Sequence, residues 1–283
     1  MTGRAEESQT SDLERNLTAR QRRYRNMYDS RLDQEMGSDM RTALRAVLDF
    51  VLPPRCLICS VSTSGAPLPW VCQRCWGAVE YITPPTCAQC GQPLAAPAEG
   101  IATTTHRCGA CLWTPPTYDR ARAVGLYEGV LRDLIHAMKY QRIYGLVRPL
   151  GDLLQQHFPT HWSAPPPAAL VPVPLHRSKL RSREFDQALA LARHVSQGVG
   201  IPLWADVLVR HRPTLSQVGL NAVERRRNIR DAFTVQKPQC CAGKALLIID
   251  DVYTTGATVQ ECARLLRQAG ATRVDVYTVA RVG

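Results

Sequence analysis

Eight of the chain's eleven cysteines fall in four C-x-x-C pairs: Cys56/Cys59, Cys72/Cys75, Cys87/Cys90 and Cys108/Cys111. A C-x-x-C turn sets two thiolates on one side of a tight knuckle, a spacing that suits two corners of a zinc tetrahedron. Two knuckles complete a four-thiolate site, so four predict two structural Zn2+ ions. Disulfides and a thioredoxin-like redox pair are the competing readings. Four repeats packed between residues 56 and 111, with no βαβ frame around them, argue against both. Sequential pairing is expected, 56/59 with 72/75 and 87/90 with 108/111, because short loops close at the least entropic cost. His106 is read as a loop histidine, since the cysteine set is already complete. Cys240, Cys241 and Cys262 have no partner at ligand spacing.

The surrounding sequence suggests where this ribbon unit begins and ends. Residues 1–39 are polar and charged with no apolar periodicity, and read as a disordered extension. Residues 40–55 read as an amphipathic helix, with Leu44, Val47, Leu48, Val51 and Leu52 on one face and Pro53-Pro54 as its stop. The zinc ribbons are expected over 56–116 and a larger domain over 117–283. The start "MTGRAEESQTSDLERN" lacks the apolar core of a secretory signal. No apolar run reaches the ~20 residues of a membrane span. These features point to a cytoplasmic protein, in which thiols stay reduced and available to metal.

Beyond Tyr118, strand-like and helix-like stretches alternate, which predicts an α/β fold with a mostly parallel sheet. "YDRARAVGLYEG", "AALVPVP", "WADVLVRH", "KALLIIDDV" and "RVDVYTVARV" read as strands. "GVLRDLIHAMKY", "DQALALARHVSQGVG", "LNAVERRRNIRDAF" and residues 257–269 read as helices, as does "IYGLVRPLGDLLQQHF" with a kink near Pro149. The net charge of +11 points to an anionic partner. Residues 1–50 hold nine arginines and nine acids, whereas residues 171–230 hold eleven Lys or Arg against four acids. The basic surplus therefore belongs to the α/β half.

Within that half, "LLIIDDVYTTGAT" (residues 246–258) is the stretch richest in chemistry. Four aliphatic residues form a buried strand that is expected to end in Asp250 and Asp251. A turn of small residues follows, Thr254, Thr255, Gly256, Ala257 and Thr258, and a helix starts there. In open parallel sheets ligands bind beyond the carboxyl ends of the strands. Backbone N–H groups at a helix N-terminus suit a phosphate, and nearby carboxylates suit hydroxyls. A ribose 5-phosphate carries both groups at about that separation. No Walker loop is present, since Gly243-Lys244 precedes the strand.

This stretch resembles the signature of type I phosphoribosyltransferases, which bind phosphoribosyl pyrophosphate (PRPP). The wider chain, from about Arg41 onward, is similar to the ComF family (ComFC and GntX-like proteins). That likeness is carried by the four knuckles, "LIHAMKY", "VPVPLHRSKLRSREFDQA", "RHRPTLSQVGLNAVERRRNIRDAF" and "LLIIDDVYTTGAT". The resemblance implies that Asp250 and Asp251 contact ribose hydroxyls and that residues 254–258 take the 5-phosphate. It assigns Val173, Pro174 and Leu175 to the diphosphate loop, with Arg181 and Arg183 adding positive charge. Lys139 and Tyr140 match the family's K-Y pair, and Arg210, Gln217, Arg225 and Asn228 match a segment that closes over substrate.

One departure stands out. The family's R-G-F-N-Q is here Arg183-Glu184-Phe185-Asp186-Gln187, which is expected to set two carboxylates against the diphosphate. The resemblance implies transfer at ribose C1 with Mg2+ assisting the departing diphosphate. It equally implies single-stranded DNA binding in natural transformation, or ribbons that dock a helicase-like competence protein. Tyr140, Tyr144 and Phe185 are the candidate stacking residues for a single strand.

Overall fold

The computed structural model describes residues 53–64, 68, 70–95, 106–162, 165–178, 180, 185–212 and 229–283. The expected extension, residues 40–52 of the expected first helix, and Arg181, Arg183, Glu184, Gln217, Arg225 and Asn228 lie outside the described residues; Pro53, Pro54 and Arg55, the expected helix end, are described and not helical. Within them no helix is long and apolar enough to cross a membrane.

Four parallel strands form the sheet: β1 (Arg120–Leu126), β2 (Ala169–Pro172), β5 (Ala245–Tyr253) and β6 (Arg273–Arg281), in the order β1-β6-β5-β2. A separate antiparallel pair joins β3 (Leu208–Arg210) to β4 (Phe233–Val235). Both faces of the sheet are covered, as the near-continuous apolar runs in β5 and β6 require. On one side lie α3 (Gly129–Tyr140), α4 (Val147–His161) and α5 (Gln187–Val199), around Leu247, Ile249 and Tyr277. On the other lies α7 (Ala257–Gln268), around Leu246, Ile248, Val274 and Val276. Between the hairpin and β5 comes the short α6 (Pro238–Cys241).

Three local expectations change. A 3-10 turn (Tyr144–Leu146) runs straight into α4, so Pro149 sits in the first turn, where a missing N–H costs nothing. The proline inside the helix is Pro159, near its end. The second change is in "LNAVERRRNIRDAF": Ile229 is helical, but Asp231 adopts φ 53 and the final Phe233 opens β4, so the stretch leaves helix at Arg230. Thirdly, β5 does not stop at the acids but runs through them to Tyr253. Its neighbour β2 ends at Pro172, opposite Ile249, so the acids emerge beside a strand that has already finished.

The ribbons are two copies of one backbone. In the first, Ser60 N–H donates to Cys56 O (2.9 Å), Cys56 N–H to Val61 O (2.8 Å) and Thr63 N–H to Pro54 O (2.8 Å). In the second, Gly91 N–H donates to Cys87 O (2.9 Å), Cys87 N–H to Gln92 O (2.7 Å) and Leu94 N–H to Pro85 O (2.9 Å). Each copy closes on a short helix holding its second cysteine pair, α1 (Gln73–Trp76) or α2 (Gly109–Trp113). The matching stretches "PPRCLICS" and "PPTCAQCG" were a sequence signal of this duplication.

Candidate functional site

Where β5 outruns β2, a cleft opens at the carboxyl edge of the sheet. Lys139, Val173, Pro174, Asp250, Asp251, Thr254, Gly256 and Thr258 all line it. Strict alternation would send Asp250 and Asp251 to opposite faces. The alternation shifts at this point, because Val252 joins the apolar cluster of Leu247 and Ile249 while Tyr253 joins that of Leu246 and Ile248. Asp250 Oδ1 accepts the Asp251 N–H at 2.9 Å across the shift. Both carboxylates thereby reach one cavity.

Lys139, near the end of α3, places its Nζ 2.8 Å from Asp251 Oδ1, with both side chains largely buried. Burial pulls the Lys139 ammonium down, but the Asp251 carboxylate more than offsets this and the net direction is up. Asp250 is pushed up to about 8, by burial first and by the Asp251 charge second, with Lys139 opposing. Near neutral pH the cleft thus holds an ion pair beside a largely protonated acid.

The turn after β5 brings the chain to α7 through Gly256, whose φ of 74° is a left-handed conformation open to glycine at little cost. A Cβ there would also lie 2.3 Å from the Tyr253 hydroxyl. Gln260 N–H donates to Gly256 O as the first helical bond, which leaves the preceding amides facing the cleft end of the helix. Thr255 and Ala257 stand apart from the cleft lining. Thr255 is exposed and its Oγ1 accepts from Ala257 N–H at 3.5 Å, while Ala257 is buried on the far side beside Gln260 and Glu261.

Sequence reasoning did not single out Ala188, Val252, Tyr253 and Val259, which complete the wall together with Leu175, Gln187 and Arg210. Arg210 is buried on β3 with its guanidinium 5.3 Å from the Phe233 ring. Nothing in the local pattern of "DVLVRH" marks it, because its position depends on the hairpin formed with the distant β4. Asp186 has a local structural role. Its Oδ2 accepts Leu175 N–H and its Oδ1 accepts Leu189 N–H, both at 3.0 Å, capping α5 and tying down the loop after β2. An asparagine offers one acceptor oxygen where this aspartate uses two. The Asp186 carboxylate is committed to backbone amides, and burial, the first cause, raises its pKa.

The eight knuckle cysteines gather into two sets, Cys56/Cys59/Cys72/Cys75 and Cys87/Cys90/Cys108/Cys111, each with its Sγ atoms within 4.8 Å of one another. The pairing is sequential, as loop entropy favours. Four thiols converging at this distance fit a tetrahedral zinc ion, and both four-cysteine sites are consistent with structural zinc. Each sulfur set is also supported by amides, such as Cys75 N–H to Cys72 Sγ (3.4 Å) and Cys108 N–H to Cys87 Sγ (3.2 Å).

Two family models match the chain: a double zinc ribbon domain over residues 47–112 and a phosphoribosyl transferase domain over residues 186–283. Competence protein F of Haemophilus influenzae is 31% identical over 217 residues, covering 75% of this chain and 90% of its own. The chain belongs to the ComF family. A second ComF relative, the DNA utilization protein YhgH of Salmonella typhi, is 33% identical over 214 residues, again covering 75% and 90%. Among solved structures, a glutamine PRPP amidotransferase from B. subtilis, complexed with ADP and GMP, is 23% identical. It overlays 47% of this chain and 26% of its own with a TM-score of 0.33, which adds nothing to the assignment. The ComF pairing of ribbons with a phosphoribosyltransferase-type sheet is what the fold displays.

Proposed function

We propose that the cleft binds PRPP or a closely related ribose 5-phosphate. Asp250 and Asp251 hold the ribose hydroxyls, and the turn from Thr254 to Thr258 receives the 5-phosphate on the amides that open α7. Val173 and Pro174 bound the space for diphosphate, which Arg181, Arg183 and Arg225 neutralise together with Mg2+ that the diphosphate brings. The observation that carries this reading is the convergence of a buried acid pair and a helix N-terminus on one cleft. Either element alone is common; together they match a sugar that carries a phosphate. Lys139 compensates Asp251, so the acids persist in a buried place without repelling an anionic ligand outright. Transfer at ribose C1 extends this binding, with basic groups stabilising the departing diphosphate.

The relatives' names, competence protein and DNA utilization protein, favour a second reading in which the basic 171–230 surface binds single-stranded DNA. Tyr140, 45% exposed at the end of α3, is the aromatic best placed to meet a base, while Tyr144 and Phe185 pack edge to face on each other. Equilibrium dialysis of the full chain against PRPP with Mg2+, and separately against an oligonucleotide, distinguishes the two. The first reading predicts saturable PRPP binding at one site per chain. Retention of the oligonucleotide alone would remove PRPP from the cleft and leave the second.

A further inference from the structure

The second ribbon is wired to the turn. Arg281, at the end of β6 and 4% exposed, donates one guanidinium nitrogen to Cys90 O and the other to Gln92 Oε1, both in the second knuckle. The same guanidinium lies 5.0 Å from the centre of the Tyr253 ring. Tyr253 lines the cleft, shares a 2.7 Å hydroxyl–hydroxyl bond with buried Tyr118, and packs where a Cβ on Gly256 would go. Tyr118, Tyr253, Cys87, Cys90 and Cys111 belong to one buried cluster. The chain of contacts is thus unbroken from the carbonyl of a zinc-ligand residue to the glycine that opens α7.

We propose that Tyr253 and Arg281 are positioning residues that couple the Cys87/Cys90/Cys108/Cys111 site to the turn. Metal retention in the second ribbon and the conformation of residues 254–258 are then linked equilibria. The functional consequence, that an occupied second ribbon shapes the phosphate subsite, rests on the ligand reading above. The physical coupling does not. Linkage is reciprocal, so a disturbance introduced at the turn must reappear at the metal. The first ribbon is the internal control, since its cysteines pack in the other apolar cluster, away from Tyr253.

The test is zinc release from the full-length, zinc-loaded protein into a colorimetric chelator. Cys59→Ser, which removes an exposed ligand of the first site, identifies by elimination which kinetic phase belongs to the second. Gly256→Ala drives a methyl group into the Tyr253 hydroxyl, and Tyr253→Phe removes that hydroxyl while keeping the ring. Gly256→Ala is expected to weaken second-site zinc affinity against the chelator by roughly fivefold or more, the lower end of ordinary coupling strengths, which shows as faster release. Tyr253→Phe should act in the same direction by a smaller factor, and both should leave the first-site phase at the parental rate. If Gly256→Ala fails to fold, Tyr253→Phe alone decides. Parental release in the folded variants overturns the proposal, and so does equal acceleration of both sites, which marks general destabilisation. No sugar phosphate enters the assay, so this result stands apart from the PRPP dialysis, which alone decides the ligand.

Discussion

The two ribbons have the same backbone and differ in what they rest on. The first packs Cys56, Trp70, Val71 and Cys75 against the helical layer, with Trp70 Nε1 occupying the space that a Cβ on Gly145 would need. The second packs against the sheet. Ala121 N–H donates to Gln89 O at 2.7 Å, and Arg122 donates to Ala88 O at 3.0 Å. One position records the difference. Ser60 and Gly91 occupy equivalent left-handed positions, with φ 60° and 70°. A Cβ at Gly91 would lie 2.7 Å from Ala121 O, whereas Ser60 carries its side chain without such a contact. The knuckle spacing sets the fold of each copy, and the residue after the second cysteine reflects where that copy docks.

Loss of either metal should therefore not be equivalent, and this is the largest expected effect. Structural zinc sites are worth on the order of 10 kcal/mol in small peptides. Cys111→Ser removes a ligand whose site is built into the sheet-side core, so thermal melting should fall steeply for the whole chain. Cys59→Ser removes an exposed thiol from the first copy and should cost less. Equal losses in melting temperature would erase the distinction between the two ribbons.

Next in size is Lys139→Met on the helical side. It strands Asp251 without its 2.8 Å partner, and breaking a buried pair this way costs about 3–5 kcal/mol. Urea denaturation measures it; a cost below ~1 kcal/mol would mean that the pair is solvated.

Gly91→Ala and Ser60→Gly compare the ribbons at one matched position. Left-handed backbone alone costs a non-glycine residue roughly 1–2 kcal/mol. Gly91→Ala adds the clash with Ala121 O and should exceed that range, whereas Ser60→Gly should be neutral or mildly stabilising. Chemical denaturation of the pair reads both; similar costs would contradict the docking difference.

A further effect is on pH dependence. Asp250 is raised to about 8 in the folded chain, against roughly 4 when unfolded. Between those values the folded state holds the extra proton, so this group's contribution to stability is full below ~4 and is lost as pH rises through about 8. Asp250→Asn should therefore flatten the fall in melting temperature between pH ~6 and ~8. An unchanged profile would mean that the acid is charged at neutrality.

Much of this was legible in the residues because it is local. C-x-x-C spacing fixes a thiolate pair within one turn, and the run Leu246–Ile249 can only be a buried strand. The acid pair and the turn are contiguous with that strand, so their common cleft could be expected from the order of elements. What escaped was non-local. Arg210 was named only through the family likeness, and its place in the wall comes from a pairing closed by Phe233; Asp186 is claimed by Leu175 N–H across a loop. Arg281 acquires meaning only when β6 lies beside β5 and reaches Cys90 O. The end of β5 was misjudged because carboxylates ordinarily mark strand termini, and a buried lysine from α3 removes that constraint here.

The central claim is that the acid pair holds a ribose, and calorimetric titration of PRPP with Mg2+ into parent and Asp250→Asn/Asp251→Asn protein tests it most directly. The variant keeps shape but loses the charge-assisted hydrogen bonds of Asp251, worth ~1.5–3 kcal/mol each, together with the carboxyl hydrogen bonds of Asp250. Affinity should fall by roughly one to three orders of magnitude, with melting temperature checked in parallel to exclude unfolding. PRPP binding of parental strength in a folded double variant would contradict the account.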